Sequence, residues 1–128
     1  MKTKRIHHVA IICSDYQTSK HFYVNVLGFS VINETFRESR NSYKLDLQLN
    51  SGDCIELFSF PNPPQRVSRP ESCGLRHLAF EVDDIAESVA YLQAKDVKVE
   101  EIRTDEITGK RFTFFQDPDG LPLEIYES

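Results

Sequence analysis

Four residues of the types that ligate divalent cations recur at matched places in the two halves of this 128-residue chain: His8 and Glu56, then His77 and Glu124. His8 to Glu56 is 48 residues and His77 to Glu124 is 47. Each His stands seven residues before an Asp, Asp15 or Asp84, and each Glu stands four residues after a Gly, Gly52 or Gly120, within an apolar run. Self-similarity at a fixed offset marks one structural unit used twice. A single His in a strand is most often solvent-facing or hydrogen-bonded in the core, and a single strand Glu usually marks the wet side of a sheet. Four of them at matched offsets are not independent. Set among Ile, Leu and Phe they would need partners, since an unpaired buried charge is costly, and two imidazoles and two carboxylates around one divalent cation would satisfy all four.

The elements that must position these residues are legible in turn. Residues 4–14 read as a buried strand with His7, Val9, Ile11 and Cys13 on one face and Ile6, His8, Ala10 and Ile12 on the other. Asp15 caps a helix carrying Phe22, Tyr23, Val26 and Leu27 and ending at Gly28. A strand over 29–35, a polar loop over 36–41, a strand over 43–49 and a hairpin turn at 50–53 lead to a strand over 54–60. The proline-rich stretch 61–73 cannot sustain a helix or an interior strand, and it separates module 1, about 4–60, from module 2, about 74–128. Module 2 repeats the order: strand 75–82, helix 85–95 behind a capping box of Asp84 and Glu87, strand 97–103, strand 111–116, the Asp117-Pro118-Asp119-Gly120 loop, and strand 121–126. Alternation puts Ile55, Leu57, Leu78, Phe80, Val82, Leu123 and Ile125 on the helix side of their sheets. His8, Glu56, His77 and Glu124 then lie on the opposite side.

Composition bounds what surrounds such a site. A chain of this length is expected to form one domain with a sizeable core. A net charge of −5 with scattered Lys and Arg argues against a nucleic-acid surface. No apolar run reaches membrane-spanning length, and the basic start, Met1-Lys2-Thr3-Lys4-Arg5, leads into a strand rather than a signal-peptide core, so a cytoplasmic protein is expected. Cys13, Cys54 and Cys73 make no CxxC pair and read as reduced small hydrophobes. Cys54 shares the strand face of Glu56 and could line the same cavity.

The segments HHVAIICSDYQTSKHFYVNVLGF, CIELFSF, GLRHLAFEVDD and DPDGLPLEIYE resemble the vicinal oxygen chelate superfamily in its glyoxalase I and bleomycin-resistance branch, over nearly the whole chain. The resemblance implies an α+β fold of two tandem βαβββ modules forming a cupped eight-stranded mixed sheet around a metal site. It implies His8, Glu56, His77 and Glu124 as ligands of one divalent metal ion, Ni, Co, Mn, Fe or Zn. It further implies a metal-dependent lyase or isomerase of a small-molecule substrate, in which two adjacent substrate oxygens are chelated and a coordinated carboxylate removes a proton next to a carbonyl. Glu124 is the first choice for that base and Glu56 its counterpart, with His8 and His77 as fixed ligands. A homodimer is expected, its modules pairing within a chain or between chains.

Glyoxalase I carries an Arg and an Asn that help to hold glutathione where this chain has Ile12 and Phe60, so lactoylglutathione is not the expected substrate. The alternatives are an epimerase of the methylmalonyl-CoA type and a protein that sequesters a small molecule without turnover, as bleomycin-resistance proteins do. Phe58, Phe60, Phe115 and Tyr126 are expected to line an apolar pocket, with Phe112 or Phe114 in the core. Arg37 and Arg40, on the 36–41 loop, could bind an anionic group, though a loop arginine is more often simply solvated. His7 and His21 read as structural.

Overall fold

A computed structural model describes all 128 residues. The chain divides into two compact units, 1–65 and 66–128, each built on one four-stranded mixed sheet. The fold is α+β, as the sequence implies.

In the first unit the order is β1 (Val9–Cys13), α1 (Tyr16–His21), β2 (Ser30–Arg37), β3 (Ser42–Gln48) and β4 (Cys54–Ser59). The sheet runs β1-β4-β3-β2, with β1 parallel to β4 and the other pairs antiparallel. Asp15 caps α1 by accepting from the Thr18 N–H at 2.9 Å. The helix then widens into a π-helical turn, Phe22–Val26, where Leu27 N–H reaches Phe22 C=O. Gly28, at φ 80°, lets the chain leave for β2. Tyr16 binds α1 to the sheet: its ring stacks on Tyr43 with centroids 4.2 Å apart, and its hydroxyl donates to Glu34. Ile11, Cys13, Tyr23, Leu45, Leu47, Ile55 and Leu57 are buried beneath it.

Two expectations need correction here. The first strand is shorter than 4–14 and is not buried on both faces. It is an edge strand bonded only to β4, so Ile11 and Cys13 are buried while Ile12 is exposed. The stretch expected as a loop at 36–41 is largely ordered, because β2 continues through Arg37, paired with Ser42, before a 3-10 turn at Glu38–Arg40 and left-handed Asn41.

The second unit contains β5 (Leu78–Val82), α2 (Ile85–Ala94), β6 (Arg103–Thr104), β7 (Arg111–Gln116) and β8 (Pro122–Glu127), in sheet order β5-β8-β7-β6. Asp84 caps α2 through the Glu87 N–H at 3.0 Å, which is half of the expected capping box. Strand β6 has two residues where a seven-residue strand was expected. Residues 100 and 101 are tied to β7 by other bonds: the Glu100 N–H donates to the Phe114 carbonyl at 2.9 Å, and the Thr113 hydroxyl bonds the Glu100 and Glu101 carbonyls at 2.9 and 3.1 Å. Asp117 closes the loop before β8, its Oδ1 accepting from the Asp119 and Leu121 N–H groups. Thr113, Phe115, Leu123 and Ile125 are buried with Ile85 and Leu92 of α2.

Candidate functional site

The parallel pairing β1–β4 sets Ala10 beside Glu56, and the parallel pairing β5–β8 sets Ala79 beside Glu124. Alternate residues share a strand face, so the histidine two positions before each alanine lies on the side of the glutamate. His8 Nε2 stands 3.5 Å from Glu56 Oε2, and His77 Nε2 stands 2.9 Å from Glu124 Oε2. The two units thus build the same His–Glu pair with the same register offset. No group of three or more His, Cys, Asp or Glu side chains is assembled as a metal cradle; what the structure brings together is one pair in each unit.

The two pairs have unlike surroundings. In unit 1, Asp46 is the cross-strand partner of Glu56, and Lys44 lies on the same face of β3. The Lys44 ammonium is 2.7 Å from Asp46 Oδ1 and 3.1 Å from Glu56 Oε1, so each Glu56 oxygen faces a basic side chain. Asp46 first, then Glu56, hold the Lys44 pKa above its ordinary value against the opposing effect of desolvation. His8 meets its neighbour through the other ring nitrogen, Nδ1 to His7 Nδ1 at 2.9 Å, so His7 touches a candidate ligand.

In unit 2 the positions matching Lys44 and Asp46 are Phe112, paired with Tyr126, and Phe114, paired with Glu124. The Phe114 ring meets the His77 ring edge-on at 5.1 Å. Glu124 is 9% exposed and the His77 ring is its side-chain partner. The His77 Nδ1 atom is buried and has no hydrogen-bond partner. Buried polar atoms are ordinarily paired, so a buried ring nitrogen without a partner at this position is unusual. Imidazole nitrogen with carboxylate oxygen is also a donor set suited to a first-row divalent ion. The residues present therefore fit such an ion by their chemistry.

The aromatic lining departs from expectation. Phe114 pairs with Glu124, so Phe112 and Phe114 share the Glu124 face with Tyr126, while Phe115, one residue on, is buried in the core. Phe58 and Phe60 stack at 6.1 Å, and Phe58 is two residues past Glu56 on β4. Tyr126 is held through its hydroxyl by Asp105 at 3.0 Å and by Thr108. Cys54 is half-buried and unpaired, its thiol directed to the Gly52 carbonyl at 3.5 Å. Lys44 and Asp46 were not singled out from sequence. The usable signal was their polar alternation with Leu45 and Leu47, once β3 is set antiparallel to β4.

A family model described as the glyoxalase/bleomycin resistance protein/dioxygenase superfamily matches residues 5–125. The "Uncharacterized protein YwkD" of Bacillus subtilis is 64% identical over 127 residues, covering 99% of both chains. A solved structure described as a glyoxalase family protein from Enterococcus faecalis is 52% identical, with a TM-score of 0.91 over 97% of this chain and 98% of that one. A "2-epi-5-epi-valiolone epimerase" from Actinomyces sp is 29% identical over 141 residues, 94% of this chain and 77% of the relative.

Proposed function

The chain belongs to the glyoxalase/bleomycin resistance protein/dioxygenase superfamily, and from that membership we propose that it is a metal-dependent lyase or isomerase that removes a proton next to a carbonyl of a small substrate. The observation that carries the proposal is the His–Glu pair built twice at one register offset, His8 with Glu56 and His77 with Glu124. These four would hold one divalent ion, Ni, Co, Mn, Fe or Zn, as the two-nitrogen, two-oxygen donor set allows. Such an ion would supply Lewis-acid polarisation of the substrate carbonyl. One relative is named an epimerase, in keeping with chemistry at a carbon that loses and regains a proton. Cys54 and Cys73 as free thiols suit a reducing, cytoplasmic setting.

The residues divide the work by their surroundings. Glu56 is engaged through one oxygen by Lys44 and faces His8 with the other, which suits a fixed ligand. Glu124 has no lysine beside it, lies opposite Phe114 and is nearly buried, so water competes little for its carboxylate. That supports assigning Glu124 as the base that would take the substrate proton and return it. His77, its ring packed against Phe114, would keep its place while the carboxylate moves.

The direct test is elemental analysis of purified protein and of His77→Ala. Wild type should hold about one divalent ion per four-ligand set, and the variant should lose it. Equal metal in both would remove the site.

A further inference from the structure

We propose that Arg37 is an anion-binding residue, and that the substrate therefore carries a carboxylate or phosphate away from its reacting oxygens. The inference rests on the metal-enzyme reading for the identity of the reacting centre, and on unit 1 alone for the anion subsite. Arg37 closes β2 and lies over the Phe58 and Phe60 rings, its guanidinium carbon 4.9 and 5.7 Å from their centroids. Phe58 follows Glu56 by two residues on β4, so the guanidinium is on the face that carries the His8–Glu56 pair. One Nη donates to Ser42 Oγ at 2.9 Å, and Ser42 is itself fully buried. The two ring contacts and this bond restrain the guanidinium, as a site for a planar oxyanion requires.

What is missing from Arg37 is a counter-charge. No carboxylate pairs with it, and its Nε is buried without a hydrogen-bond partner. Unit 2 offers a contrast of the same kind. Arg103 lies over Phe112 and Phe114 at 5.1 and 5.4 Å, but its Nη2 is 3.0 Å from Glu100 Oε2 and its charge is answered. A cation held over two aromatic rings, with an unused donor and no acid beside it, retains the capacity for a charge-assisted bond to a ligand oxyanion. Lys44, on the adjacent strand, is committed to Asp46 and Glu56, whereas Arg37 has no carboxylate partner.

The test compares ligands that differ only in the remote charge, by calorimetric titration of the purified protein. Dihydroxyacetone phosphate is set against dihydroxyacetone, and 2-oxoglutarate against 2-oxobutyrate. In wild type at least one charged probe should bind about tenfold tighter than its partner, and the responding arm identifies phosphate or carboxylate. Arg37→Met should reduce that preference to within about twofold, and Arg37→Lys should restore only part of it, because a lysine cannot reproduce the planar fork. Metal content should be equal in all three proteins. Should Arg37→Met fail to fold, by its thermal melt, Arg37→Lys decides the matter by the same comparison. A preference that is absent from wild type in both arms, or that survives intact in the variants, overturns the proposal. Protein that takes up no divalent ion even when Ni, Co, Mn, Fe or Zn is supplied, yet shows the Arg37-dependent preference, would sink the metal-enzyme reading and leave the anion subsite standing.

Discussion

At the residue scale, the duplicated pairs have diverged. Glu56 sits among Lys44, Asp46 and His8, whereas Glu124 sits between His77 and Phe114. If Glu124 is the base as well as a ligand, Glu124→Gln keeps an oxygen donor and removes the proton acceptor. Turnover should then fall on the order of 10²-fold or more, with a much smaller change in metal content and substrate affinity. Solvent deuterium should enter the carbon next to a substrate carbonyl with wild type and not with the variant; equal incorporation would take the role of base away from Glu124. The faces of Glu56 and Glu124 were legible from alternation alone, because Ile55, Leu57, Leu123 and Ile125 mark the buried side unambiguously. The run Phe112-Thr113-Phe114-Phe115 was not, since its apolar residues do not alternate. Its parity is set by the pairing of Phe114 with Glu124, and that places Thr113, rather than a phenylalanine, in the core beside Phe115.

At the element scale, each unit launches its helix with the same device, an aspartate whose carboxylate accepts the N–H three residues on. Asp84→Ala should cost about 1 kcal/mol of stability, read as a lower urea midpoint, with Asp84→Asn costing less because asparagine also caps well. An unchanged midpoint would show that Asp84 contributes nothing as a cap. Both caps were readable because the signal is local. Where the sequence misled, the cause was a partner outside the run being read: β2 runs on through Arg37 because Ser42 is opposite it, and beside brief β6 the Thr113 hydroxyl takes the Glu100 and Glu101 carbonyls. Neither the register of a hairpin nor a side chain's capture of a backbone acceptor is written in hydrophobic periodicity.

At the scale of the whole molecule, no helix is long and apolar enough to cross a membrane. Strand β2 is the outer strand of its sheet and exposes Val31, Ile32 and Phe36. An edge strand of that kind is ordinarily covered, and a second copy of the chain is the cover we expect. Light scattering at micromolar concentration should give a mass near twice the 14.8 kDa of one chain. A mass of one chain would count against the homodimer.

The tie between α1 and the first sheet also makes the protein sensitive to alkali. Burial raises the Tyr16 phenol pKa well above 10.0, and the neighbouring Glu34 carboxylate raises it further. The folded state therefore keeps a proton that the unfolded chain surrenders near its ordinary pKa. Stability from this group is complete below pH 10 and drains away as the pH rises beyond it, because the unfolded state binds fewer protons there. Tyr16→Phe cannot ionise, so its urea midpoint should decline less steeply between about pH 9 and 11 than that of wild type. Parallel declines in the two proteins would place the alkaline sensitivity elsewhere.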